Sequence, residues 1–107
     1  MRSAAEVSDR TWTFLTNHGH VLLCIARDPR MRGRDIAAQV GITERAAQSL
    51  IADLVEAGYI TRSREGRRNR YALNPTIPLR HPLEQAHQVG ELLSVLTGPI
   101  RPSVRTG

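Results

Sequence analysis

Lysine is absent from this chain of 107 residues: all fifteen of its basic side chains are arginine. A GC-rich genome is one source of that bias. The planar guanidinium fork also suits phosphate groups and guanine edges. Aromatic residues are scarce, with one Trp, one Phe and two Tyr, so the hydrophobic 40% is mostly Ala, Leu, Val and Ile, which suits thin, closely packed helices. The single cysteine, Cys24, allows no intramolecular disulfide and no CxxC-type zinc spacing, in keeping with a reducing compartment. No apolar run approaches the roughly 18 to 20 residues of a membrane span, and the opening MRSAAEVSDR lacks the apolar stretch of a signal peptide. The expectation is a cytoplasmic protein with no membrane partner. A chain of this length holds one domain with a modest core and has no room for a separate catalytic or sensory domain.

What the chain does have is concentrated charge. Its formal net charge is +5, yet residues 1–60 balance seven Arg against seven acids, whereas the ten residues TRSREGRRNR, 61–70, hold five Arg and one Glu. On its own such a cluster fits a solvated loop as well as a binding patch. The flanking pattern decides between them.

Pro and Gly divide the chain into short pieces. Val21 to Ala26 is an unbroken apolar run closed by Asp28-Pro29, with Asn17 available as an N-cap, and predicts a central buried helix. Ile36, Ala37 and Val40 recur at helical spacing and Gly41 stops that helix. Thr43 caps a third helix, Glu44 suits its N-terminal dipole, and Ala47, Leu50, Ile51 and Leu54 form its apolar stripe up to Gly58. Tyr59–Arg62 and Arg70–Leu73 are β-prone and flank Glu65-Gly66, which predicts a hairpin over 59–73 with the basic cluster at its tip and arms. After a connector with Pro75 and Pro78, Pro82 stands at the first position of a final helix expected over 82–96. Residues 98–107 read as a frayed tail.

The segment GRDIAAQVGITERAAQSLIADLVEAGYI resembles the helix-turn-helix of bacterial regulators. Counting Gly33 as the first position, Ala37 is the fifth, where two helices approach closely, and Gly41 is the ninth, where the turn disfavours a β-carbon. Ile36, Val40, Ile42, Ala47 and Leu50 fill the small core that fixes the angle between the helices. Followed by an Arg-rich hairpin, the pattern is similar to small winged helix-turn-helix transcriptional regulators of the MarR and ArsR kind. That resemblance implies a mostly α fold with a small β-hairpin wing, a helix-turn-helix over 33–57, and N- and C-terminal dimerisation helices. It also implies a homodimer on double-stranded DNA, with the third helix in the major groove and the wing on the backbone or minor groove.

The side chains can be read against that chemistry. With Ala47, Leu50, Ile51 and Leu54 facing inward, Thr43, Glu44, Arg45, Gln48 and Ser49 face outward. Arg45 can fork onto guanine O6 and N7, Gln48 can pair with adenine N6 and N7, and Ser49 or Thr43 can reach a base or phosphate. Glu44 is the one residue there that phosphates repel, although an acid can contact cytosine. In the wing, alternation places Arg62 and Arg64 on one face of the outgoing strand and Arg68 and Arg70 opposite Tyr71 and Leu73 on the return, with Asn69 between them, while Arg67, beside Gly66, suits a narrow minor groove. Arg32 and Arg34, at the start of the second helix, are placed for a phosphate near its N-terminal amides.

The last helix carries a wide apolar arc. Leu83, Ala86, Val89, Leu93 and Leu96, with Trp12 and Phe14, are the expected dimer interface. His18, His20, Cys24, His81 and His87 invite a metal-responsive, ArsR-like alternative, but their spacing forms no ligand pattern, so no metal and no cofactor is expected. No nucleophile with a base, phosphate loop or carboxylate pair points to an enzyme. A protein-interaction or RNA-binding winged helix is the other alternative, and the polar outward face of the third helix argues against it. The operator, any effector and the sense of regulation are not legible.

Overall fold

Residues 12–97 are described by the structure, a computed structural model. Helix α1 (Asn17–Arg27) buries Val21, Leu22, Cys24 and Ile25 and packs against every other helix. Its N-cap is Thr16 rather than the expected Asn17, whose side-chain oxygen instead meets His20 Nδ1 at 3.0 Å. Asp28 turns the chain out of the helix in extended conformation.

Helix α2 (Gly33–Val40) ends at Gly41, where φ is 87°. The amides of Gly41 and Ile42 both donate to Ala37 O, and the left-handed conformation needed for this is one that a β-carbon penalises. Helix α3 (Glu44–Glu56) starts at Thr43, whose hydroxyl oxygen accepts from the Ala46 amide at 3.0 Å. It closes with the paired bonds of a Schellman motif, Tyr59 N to Leu54 O and Gly58 N to Val55 O, around Gly58 at φ 88°. Ile36 and Ala37 of α2 and Ala47, Ile51 and Leu54 of α3 are buried against α1, and Val40, Ile42 and Leu50 are half-buried beside them. All seven positions of the helix-turn-helix pattern lie at that junction or in its turn.

Strands β1 (Ile60–Glu65) and β2 (Arg68–Leu73) form an antiparallel hairpin in which Ile60 pairs with Leu73, Arg62 with Tyr71 and Glu65 with Arg68. Gly66 and Arg67 make a two-residue turn. Gly66, at φ 67°, supplies the positive φ that such a turn requires at its first central position. From the hairpin, Ile60 and Tyr71 are buried in the core and Leu73 packs against it half-buried. On its outer edge the Tyr71 amide donates to Pro29 O at 2.9 Å, which ties the wing to the segment entering α2.

The final helix differs from the expectation. Helix α4 (Val89–Thr97) begins seven residues after Pro82, and 80–88 is a loop. Leu79 N donates to His87 O and Val89 N to Ile77 O, so 77–79 and 87–89 run antiparallel and close the loop between them. Tyr59 anchors this clamp by donating its hydroxyl to Pro78 O at 2.7 Å. The start signal is Glu91, whose carboxylate accepts from the Gln88 amide at 2.9 Å as in one half of a capping box. Pro82 at a favourable first position could not outweigh these longer-range bonds.

Gly90 fits α4 against the turn after the wing. Its amide donates to Pro75 O, and a β-carbon there would stand 2.6 Å from Pro75 Cβ and 2.9 Å from Pro75 O. Because backbone has to move, Gly90→Ala is expected to lower stability by about 1–3 kcal/mol, read as a shift in the urea midpoint.

The winged helix-turn-helix architecture is therefore present: three helices, a two-stranded wing and a further helix packed on α1. Residues 98–107, expected as a frayed tail, lie outside the described residues, as do residues 1–11.

Candidate nucleic-acid interface

Glu44, Arg45, Gln48, Ser49 and Ala52 are exposed along one side of α3, opposite buried Ala47, Ile51 and Leu54. Thr43 is exposed as well, with one lone pair of its oxygen engaged by the Ala46 amide as the N-cap and its O–H still able to donate outward. Gln48 lies across the start of α2. A β-carbon on Gly33 would come within 2.2 Å of Gln48 Nε2, so the glycine makes room for this amide between the two helices. Arg32, at the N-cap of α2, and Arg34, in its first turn, are both exposed.

In the wing, side chains of directly paired residues share a face. Arg62 and Arg64 therefore lie on the face of Tyr71 and Asn69, and Arg68 and Arg70 on the other, with Glu65 and Ser63. All five arginines are exposed, Arg67 at the turn, and Asn69 is half-buried. The wing thus presents guanidinium groups on both faces and at its tip, and among the described residues no acid is buried.

Two residues of this region have no place in the sequence-based expectation. Arg30 grips Glu65 through Nε to Oε1 at 2.6 Å and Nη2 to Oε2 at 3.2 Å, while Arg68 Nη2 donates to Arg30 O at 2.7 Å. The hydrogen bond from Arg30 holds the Glu65 carboxyl below the usual range, and the nearby charges of Arg30, Arg70 and Arg68 add to the effect. Arg30, Arg32, Arg67 and Arg68 line a cleft of about 300 Å³ between the wing and the start of α2, floored by Met31 and Tyr71. The available signal was a lone acid within an arginine run, but 35 residues separate it from its partner.

The expected interface residues divide. Trp12 and Phe14 meet edge to face at 5.2 Å, and Phe14 is 94% and Leu83 90% exposed; Ala86 and Leu96 are exposed too. Val89 and Leu93, at 3% and 1%, are instead buried in the core against α1, so both are removed from the interface. An apolar arc on one helix does not distinguish its own core from a partner, and here the inner half belongs to the core. Val95, 80% exposed, was missed and extends the outer half. A largely apolar hollow of about 420 Å³, walled by Phe14, Leu22, Leu54, Tyr59, Leu79 and Leu92, opens beside these residues.

The histidines have different partners. His18 Nε2 is 2.8 Å from Asp53 Oδ2, His87 Nδ1 is 2.7 Å from Glu91 Oε1, and His81 Nδ1 accepts from the Leu83 amide. Cys24 is buried, which pushes its thiol pKa up. Among the described residues, no three His, Cys, Asp or Glu side chains are grouped as a metal site. No helix among them is long and apolar enough to cross a membrane.

Residues 15–61, somewhat under half of the chain, match the family model of winged helix-turn-helix DNA-binding domains. That match spans α1, the helix-turn-helix and the first residues of β1. Among solved structures, the chain is similar to a MarR family protein of Mycobacterium tuberculosis, solved in complex with salicylic acid, at 23% identity and a TM-score of 0.47. The similarity covers 56% of this chain and 47% of that one, so this chain spans about half of its length. No curated protein matches.

Proposed function

We propose that this protein is a sequence-specific regulator of transcription that binds double-stranded DNA as a homodimer. The observation that carries the reading is the exposed face of α3 with Arg45, Gln48 and Ser49, in a fold that also exposes arginines on the wing and at the start of α2. A helix about 10–12 Å across fits a major groove of about 12 Å. With α3 in the groove, Arg45 and Gln48 read base edges, while Arg32, Arg34 and the wing arginines hold nearby phosphates. Arg67 at the turn suits an adjacent minor groove. No catalytic step belongs to this function.

The test is titration of a selected duplex against variants carrying one base-pair change. Arg45→Ala is expected to lose about 1–3 kcal/mol of discrimination at one base pair with an unchanged thermal midpoint. Equal loss on every duplex would reassign Arg45 to the backbone.

The dimer rests on the exposed large apolar side chains of Trp12, Phe14, Leu83, Val95 and Leu96, which a second copy would cover. Two copies joined there can present two α3 helices to sites about 34 Å apart, one turn of DNA, and so favour a palindrome. Sedimentation at micromolar concentration is expected to give a dimer that Phe14→Glu converts to a folded monomer. A wild-type monomer would contradict this part.

A further inference from the structure

The wing holds one acid among five arginines, and the fold delivers it to a cation on another segment. Glu65 closes β1 opposite Arg68, and both of its oxygens receive the guanidinium fork of Arg30. The two side chains are 58% and 49% exposed. Ion pairs so open to water contribute little to folding, so stability is a poor account of this one. The fork on two acceptor oxygens is, however, the geometry in which arginine takes a phosphodiester.

Two further features set Arg30 on the nucleic-acid side of the molecule. It lines the cleft shared with Arg32, Arg67 and Arg68, and its carbonyl receives Arg68. Its backbone is fixed, since the Arg30 amide donates to Asp28 Oδ1 at 3.0 Å and neighbouring Pro29 O accepts from Tyr71. Only side-chain rotation is needed to change what Arg30 holds.

We propose that the Glu65 carboxylate occupies a phosphate subsite formed by Arg30 at the root of the wing, and that a DNA backbone phosphate takes its place on docking. The proposal rests on the DNA-binding reading above. In the free protein the carboxylate offsets the charge of Arg30 and lowers the potential around Arg68 and Arg70. On docking, Arg30 exchanges one acceptor for another, so the new contact adds less affinity than a free arginine would. Phosphates carry no sequence information, so Glu65 restrains binding to every duplex alike.

The experiment measures affinity for a random-sequence duplex as a function of salt for the wild type, Glu65→Gln, Arg30→Ala and the double variant, with circular dichroism and urea midpoints confirming the fold. Glu65→Gln is expected to bind on the order of tenfold more tightly at 50 mM salt, because Arg30 then gives up no acceptor on docking, and removing Arg30 from the Glu65→Gln variant should flatten the log–log salt slope by about 0.9, the value of one phosphate contact. The gain in affinity should vanish when Arg30 is also removed. Unchanged or weaker binding in Glu65→Gln overturns the proposal, the latter by showing that the bridge positions the wing. A gain that persists without Arg30 also overturns it, since Glu65 would then act only by general repulsion. If the wild type shows no salt-dependent affinity for any duplex, the DNA-binding reading itself fails and takes the proposal with it, an outcome separate from the other three.

Discussion

Raising the salt from 50 to 200 mM is expected to weaken binding to duplex DNA by about 10³ to 10⁵-fold. The size follows from counting contacts. The chain exposes Arg32 and Arg34 at the start of α2 and Arg62, Arg64, Arg67, Arg68 and Arg70 on the wing, and the proposed dimer, using three to five of these per copy, would make roughly six to ten phosphate contacts. Each contact releases condensed counterions and contributes about 0.9 to the log–log slope. The dependence is therefore a measure of how many arginines the wing and α2 bring to the backbone. Replacing Arg62 and Arg64 with Gln should flatten the slope by about 1.8 per protomer if both touch phosphate. A nearly flat response in the wild type would show that the charged flanks do not meet DNA.

Ile51→Ala is expected to destabilise the fold by about 2–5 kcal/mol, a large share of the roughly 5–15 kcal/mol available to a small domain. Ile51 is fully buried on α3, between Ala47 and Leu54, in the core shared with α1. Truncation leaves a cavity that the neighbouring helices fill only in part, and each kcal/mol lowers the midpoint of a domain this size by about 4–8 °C. The thermal transition should fall by roughly 10 °C or more, and the remaining folded protein should bind DNA less well because α3 has lost its seat. Arg45→Ala, on the opposite side of the same helix, should do the reverse: lose base discrimination and leave the transition in place. The contrast separates the two faces of α3 by measurement. A small effect of Ile51→Ala would mean that the core at this point collapses around the gap.

The helix-turn-helix was legible because its determinants are local. Gly41 and Gly58 announce the helix ends, Thr43 the start of α3, and the apolar spacing of Ile36, Ala47 and Ile51 the inner faces. Each acts within a few residues of itself. The hairpin was legible for the same reason, since Gly66 fixes its turn and alternation its faces. Three features were not legible, and each depends on contact between distant segments. The start of α4 is set by the pairing of 77–79 with 87–89 and by Tyr59 on Pro78. The assignment of Val89 and Leu93 to the core depends on where α1 lies. The grip of Arg30 on Glu65 requires the wing to fold back beside the segment that enters α2. In the interface, the outward residues of α3 followed from the inward ones and the cap at Thr43 from its residue type and position, whereas the passage of Gln48 over Gly33 required coordinates.

The central claim is that α3, flanked by the wing and α2, reads a particular DNA sequence. Selection of bound duplexes from a random pool tests it most directly, run in parallel for the wild type and for Arg45→Ala. The account predicts an enriched palindromic motif with half-sites one helical turn apart for the wild type, and loss of preference at one base pair of each half-site for the variant. Recovery of the pool without enrichment, or the same motif from both proteins, would contradict it.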